Sequence, residues 1–118
     1  MSSLRFSIGQ QAAALLPDGD FFCALRRRFY ARHLRKAGRF AALSGLKIFS
    51  CGNVSIGDDV HINLNVLIDA GGGEIEIGDN VLIGPYCVLR AADHRFSDPK
   101  TPIRLQGHEG GRIVIEED

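Results

Sequence analysis

At 118 residues, with 45% hydrophobic and 24% charged residues, the chain is one globular domain at most, and its makeup argues against disorder. The formal net charge is zero, yet residues 1–50 carry nine Lys and Arg against two Asp, while residues 51–118 carry five against twelve acids. The longest early apolar run, AAALL at 12–16, is too short for a secretory core, and no stretch approaches the roughly 18–20 apolar residues of a membrane span.

Cys23, Cys51 and Cys87 form an odd set without CxxC spacing, so free thiols in a reducing, cytoplasmic setting are expected rather than a disulfide framework or a zinc site. The basic first half is expected to meet something anionic.

In chain order, PDGD at 17–20 reads as a turn and then an N-cap, with Asp20 set to accept the first free amides of a helix starting at Phe21. That helix is expected to run to about Leu43, within a basic amphipathic helical segment over residues 1–45. Phe22, Phe29, Tyr30, Leu34, Ala37, Phe40 and Ala41 share one arc at helical spacing, and Arg28, Arg32, Arg35 and Arg39 share another, with Gly38 weakening the helix. Such a helix suits an anionic membrane surface, at the inner membrane face. Equally, its apolar arc can pack on the rest of the protein, with the arginines solvated or turned toward the acidic half. No recognition motif accompanies them, so nucleic acid is not an expected partner.

From Ile48 the hydrophobic period becomes six. Val54, Val60 and Val66 keep that interval, as do Ile56, Ile62 and Ile68; Ile75, Val81 and Cys87 resume the first series and Ile77, Ile83 and Leu89 the second. A period of six fits neither a helix nor simple alternation. It fits a short strand followed by a corner, three of which close a triangular coil of about 18 residues with these aliphatic residues inside. Gly57, Gly78 and Gly84, each following an interior Ile, are expected to make the bends. An ordinary sandwich with coincidental spacing would not produce two interleaved registers.

Ile56 and Ile77 are 21 residues apart, one coil plus three residues, which accounts for AGGG at 70–73. Wording of the same kind returns at Ile113, so about twenty residues, the loop 93–112, leave the coil after Ala92 from the same corner. A long excursion from a fixed corner of a rigid scaffold is where chemistry is expected.

INLNVLID, IEIGDNVLIGPYCVL, the DH that follows and GGRIVIEED resemble the hexapeptide-repeat acyltransferases with a left-handed parallel β-helix, in particular the galactoside and maltose O-acetyltransferase branch, over about residues 46–118. The resemblance implies transfer of an acetyl group from acetyl-CoA to a sugar hydroxyl, in polysaccharide or glycolipid assembly, by a homotrimer that needs no metal. It implies that His94 is the general base and that Asn63, with Asp69, contacts the acceptor. The chemistry suits the residue: a neutral imidazole removes the hydroxyl proton as the thioester is attacked and returns it to the departing thiolate.

His61 and His108 are expected to have no role. The two-histidine stretch of the carbonic-anhydrase-like relatives is absent, since Pro99 stands five residues beyond His94. Relatives continue past IVIEED with a Val-Trp-Ile-Gly rung and further coils; this chain has no Trp and reads as the N-terminal portion of a transferase, or as an inactive fragment that self-associates.

Overall fold

The computed structural model describes residues 3–94, 99–100, 102 and 108–117. Two helices, α1 (Ser3–Leu15) and α2 (Asp20–Ala31), precede a succession of short strands. These are β1 (Lys36–Ala37), β2 (Phe40–Ala42), β3 (Lys47–Phe49), β4 (Val54–Ile56), β5 (Val60–Ile62), β6 (Leu67–Asp69), β7 (Glu74–Ile77), β8 (Leu82–Ile83), β9 (Val88–Arg90), β10 (Ala92–His94), β11 (His108–Gly110) and β12 (Arg112–Ile115).

Strands three apart in order pair in parallel up to β9, and β12 joins β7 past the ribbon of β10 and β11. Face A stacks β1, β4, β7 and β12, face B stacks β2, β5 and β8, and face C stacks β3, β6 and β9. This is the arrangement of a parallel β-helix with three faces to a coil. Val54 stands over Ile75, Ile56 over Ile77 and Ile62 over Ile83, so the residues of both six-residue series fill the interior. Each buried aliphatic contributes about 1.5–3 kcal/mol. Cys87 and Leu89 are only partly buried, because β8 and β9 have no further strand stacked on them among the described residues.

The long helix expected to reach Leu43 ends at Ala31, and the coil begins at Lys36 instead of residue 46. Leu34, Phe40 and Leu46, and likewise Ala42 and Ile48, already keep the interval of six and are buried with the later series. The helical arc drawn through Leu34 and Phe40 was this hexad read with the wrong period. Asp20 is the first helical residue rather than the cap: Gly19 occupies the N-cap without a side-chain hydrogen bond. Asp18 is the acid used there, its carboxylate accepting the Ser44 amide (2.6 Å).

The corners also differ from expectation. Left-handed backbone falls on Ser50, Asp59, Asn65, Asn80 and Tyr86, and on Gly45 and Gly71, whereas Gly57, Gly78 and Gly84 do not have positive φ. Gly57 is required by crowding. A Cβ there would overlap the Asp79 carboxylate, which accepts the Asp58 amide one coil below (2.7 Å). Asp58 repeats the contact with the Arg39 amide (2.8 Å), with Gly38 beneath it, so Gly38 belongs to a corner of the coil and weakens no helix. The repeated Gly-Asp is therefore a ladder of carboxylates stapling one coil to the next.

A first coil would expose an open row of backbone groups. The helices satisfy them. Gln10 Oε1 accepts the Ile48 amide (2.7 Å) and the Tyr30 hydroxyl (2.8 Å), and that hydroxyl lies 3.0 Å from the Leu46 carbonyl. The Gly45 amide donates to Ala14 O (3.0 Å). Arg26, fully buried, donates to the carbonyls of Ala13 (2.9 Å), Leu16 (2.5 Å) and Ala42 (2.6 Å). The first two acceptors lie at the end of α1, where the helix dipole favours a cation.

Of the arginines assigned to one helical face, Arg35 pairs with Glu74 (3.2 Å) and Arg39 lies near Asp58 and Asp59 (3.9 and 3.6 Å). Both stand on the coil and face the acidic half. No helix among the described residues is long and apolar enough to cross a membrane.

Candidate active site

The corner between faces C and A carries every insertion. Cys51–Asn53 forms a 3-10 turn there between β3 and β4, Ala70–Gly73 fills it between β6 and β7, and the long excursion leaves it between β9 and β12. The excursion departs as an antiparallel ribbon of β10 and β11, pairing Ala92 with Gly110, Asp93 with Glu109 and His94 with His108. Its root is clamped on the coil: the Gly111 amide donates to Ala91 O (2.5 Å) and the Glu74 amide to Gly111 O (2.8 Å).

The glycines at this root have a steric reason. A Cβ on Gly73 would overlap the Gly111 carbonyl, and one on Gly110 would press on the Gly72 carbonyl at 2.5 Å. The AGGG insertion thus provides the floor on which the later ribbon crosses. The sequence shows two glycine runs, but only the fold shows that they meet.

His94 ends β10, three residues beyond the clamped Ala91; its side chain lies outside the described residues, as does the ribbon's tip. No role was expected of His108. Its position mirrors that of His94, three residues before Gly111, and this symmetry about the two anchors was the available signal.

Asp69 closes β6 at the same corner. Its Oδ1 accepts the Gly71 amide (2.9 Å), shaping the insertion, and its Oδ2 lies 3.7 Å from Arg90. It adjoins the ribbon root through the Ala91 amide, which donates to Asp69 O (3.0 Å). Asn63 stands at the other end of face C, six residues earlier, at the corner with face B. The structure therefore brings Asp69 to the strand leading into His94 but leaves Asn63 a full face away within one chain.

Asn63 Oδ1 accepts the Leu64 amide (2.8 Å), and its side chain lines a groove of about 210 Å³ with Ala41, Leu43, His61 and Leu82. His61 points outward between buried Val60 and Ile62 and also lines a neighbouring groove of about 170 Å³, with Arg27, Arg39 and Asp59. No group of three or more His, Cys, Asp or Glu side chains able to hold a metal occurs among the described residues.

Over 72 residues the chain is 38% identical to the "Bifunctional protein GlmU" of Nitrosococcus oceani, covering 58% of this chain and 15% of that protein. Over 39 residues it is 49% identical to the protein of that name from Xylella fastidiosa and 44% identical to that from Pseudoalteromonas atlantica, in each case covering 33% of this chain and 8% of the relative. The chain thus spans at most 15% of the length of these relatives. No family model and no solved structure matches. The similarity supports the hexapeptide-repeat acyltransferase superfamily at large and does not single out the galactoside and maltose branch.

Proposed function

We propose that the chain is part of an O-acetyltransferase that moves an acetyl group from acetyl-CoA to a sugar hydroxyl, in the assembly of a polysaccharide or glycolipid in the cytoplasm. The observation that carries this reading is the excursion at one corner of a parallel coil, rooted on a glycine crossing and opening with His94. Local likeness to GlmU proteins supports it. In the same reading the coil winds left-handed, against the usual right-handed crossover.

His94 takes the hydroxyl proton as the acceptor oxygen bonds to the thioester carbonyl carbon. The tetrahedral intermediate then collapses, the carbon–sulfur bond breaks, and the imidazolium returns its proton to the thiolate, releasing CoA. Base assistance of this kind contributes roughly 10²- to 10⁴-fold. Asn63, with its amide in the face B groove, and Asp69 contact the acceptor. Because they stand at opposite ends of face C, a complete site combines the ribbon corner of one copy with the Asn63 corner of another, which a homotrimer supplies.

Purified protein with acetyl-CoA and candidate sugars is expected to release free thiol, and His94→Ala to lower that rate at least about 100-fold. Equal turnover by the variant refutes the role of His94.

A second reading, a catalytically silent coil that acts through self-association, is favoured by Leu82, Tyr86 and Val88 on the outer surface of the last full coil, 76%, 71% and 63% exposed. Calorimetry with CoA separates the two. Association by light scattering without CoA binding selects the second.

A further inference from the structure

Each of the two helices buries one face and leaves the opposite face uncovered. α1 turns Phe6, Gln10, Ala13 and Ala14 inward, against α2 and the first coil. Its opposite side presents Leu4, Ile8 and Leu15, at the i, i+4 and i+11 positions of a single stripe, 67%, 62% and 82% exposed. α2 buries Cys23, Arg26 and Tyr30, and its opposite side carries Phe21, Leu25, Arg28 and Arg32, again at i, i+4, i+7 and i+11. Phe21 is 68% and Leu25 37% exposed, and both arginines are exposed.

Solitary exposed apolar residues need no explanation, but two helical stripes of them on one hairpin do. From these stripes we infer that the α1–α2 hairpin is an interfacial anchor that lays its outer surface on an anionic lipid bilayer. The inference goes beyond the proposed acetyl transfer and stands without it.

Charge selects this occupant. α1 carries no acid and Asp20 is the one acid of α2, whereas the exposed stripe of α2 ends in two arginines whose side chains make no hydrogen bond or ion pair among the described residues. A second copy docked through the same face would bring the same excess of positive charge to it, and like charges repel. A bilayer of anionic lipids offers both things the face asks for, phosphates for the guanidinium groups and hydrocarbon for the leucines, isoleucine and phenylalanine. Of the four arginines first assigned to one helical face, Arg28 and Arg32 stay on this stripe, whereas Arg35 and Arg39 lie on the coil against acids.

Co-sedimentation with vesicles of phosphatidylcholine alone, and of phosphatidylcholine with about one third phosphatidylglycerol, tests the inference. Binding is expected to the anionic vesicles and to weaken as salt is raised. Arg28→Gln with Arg32→Gln is expected to lower partitioning roughly 30-fold, at about 1 kcal/mol per arginine. Ile8→Ser with Leu15→Ser is expected to lower it at least about tenfold. All four positions are exposed, so unchanged urea midpoints are expected and show that the fold is kept.

Equal binding to neutral vesicles, no binding to either, or full binding by both double variants overturns the anchor. So does a dimer by light scattering that Ile8→Ser with Leu15→Ser dissociates, which assigns the face to a second copy. Thiol release from acetyl-CoA with a water-soluble acceptor is read separately, so failure of the anchor and failure of the transferase reading remain distinguishable.

Discussion

Replacing Arg26 by Met tests whether the helices hold the coil through one buried cation. The guanidinium donates to Ala13 O, Leu16 O and Ala42 O at 2.9, 2.5 and 2.6 Å, with Pro17 O at 3.4 Å. Three charge-assisted bonds at about 1.5–3 kcal/mol each set an upper bound. Ala13 O and Leu16 O lie at the end of α1 beside the linker, where water can replace part of the loss, whereas Ala42 is fully buried and its carbonyl is left bare. Met also fills much of the space. The expected loss is therefore about 3–5 kcal/mol, a large share of a typical folding free energy of about 5–15 kcal/mol.

Urea unfolding followed by far-ultraviolet circular dichroism measures this, with the slope unchanged and the midpoint lowered. Arg26→Lys keeps the charge but not the planar fork, so it is expected to lose about half as much. It remains measurable if the Met variant does not fold. A loss under about 1 kcal/mol for Met, or a Lys variant as stable as the parent, would show that the fork does not join the helices to the coil.

Two further outcomes follow from the core and the ribbon root. Burial pushes the Cys51 thiol up to about 11, and burial also pushes the Tyr30 hydroxyl up, beyond the usual tyrosine range. The unfolded chain loses these protons first, so stability is full below about pH 9 and falls as pH rises to about 11, by up to about 2–3 kcal/mol for Cys51. A pH series of urea midpoints checks this, and Cys51→Val is expected to flatten the fall between pH 9 and 10; an unchanged slope refutes it. Gly73→Ala places a methyl group on the Gly111 carbonyl and is expected to cost about 1–3 kcal/mol and to loosen the ribbon root. Hydrogen exchange at the Glu74 and Gly111 amides should rise well above that of the face B amides; equal protection would place the strain elsewhere.

The hexad fixes which residues face inward wherever it runs, because a period of six leaves branched side chains on one side of every strand. Val54 through Ile83 needed no tertiary knowledge. Leu34 and Phe40 obey the same rule, yet they were absorbed into a helix because arginines and alanines around them also satisfy helical spacing. Only the presence of a second coil, whose strands offer β1 and β2 a ladder to join, decides between those periods.

His94 stood out from its place after the coil, and Asp69 from its place before the first insertion. The sequence by itself determined the coil interior from Ile48 on, the two insertions and their common corner, since all three are written in the count of residues between interior aliphatics. Only the tertiary structure decided that Gly72 and Gly73 lie under Gly110 and Gly111, that His108 faces His94, that Asn63 stands a face away, and that a buried Arg26 binds the cap. Those contacts join segments far apart in the chain, and local spacing carries no information about which carbonyl a distant amide, methylene or guanidinium will meet.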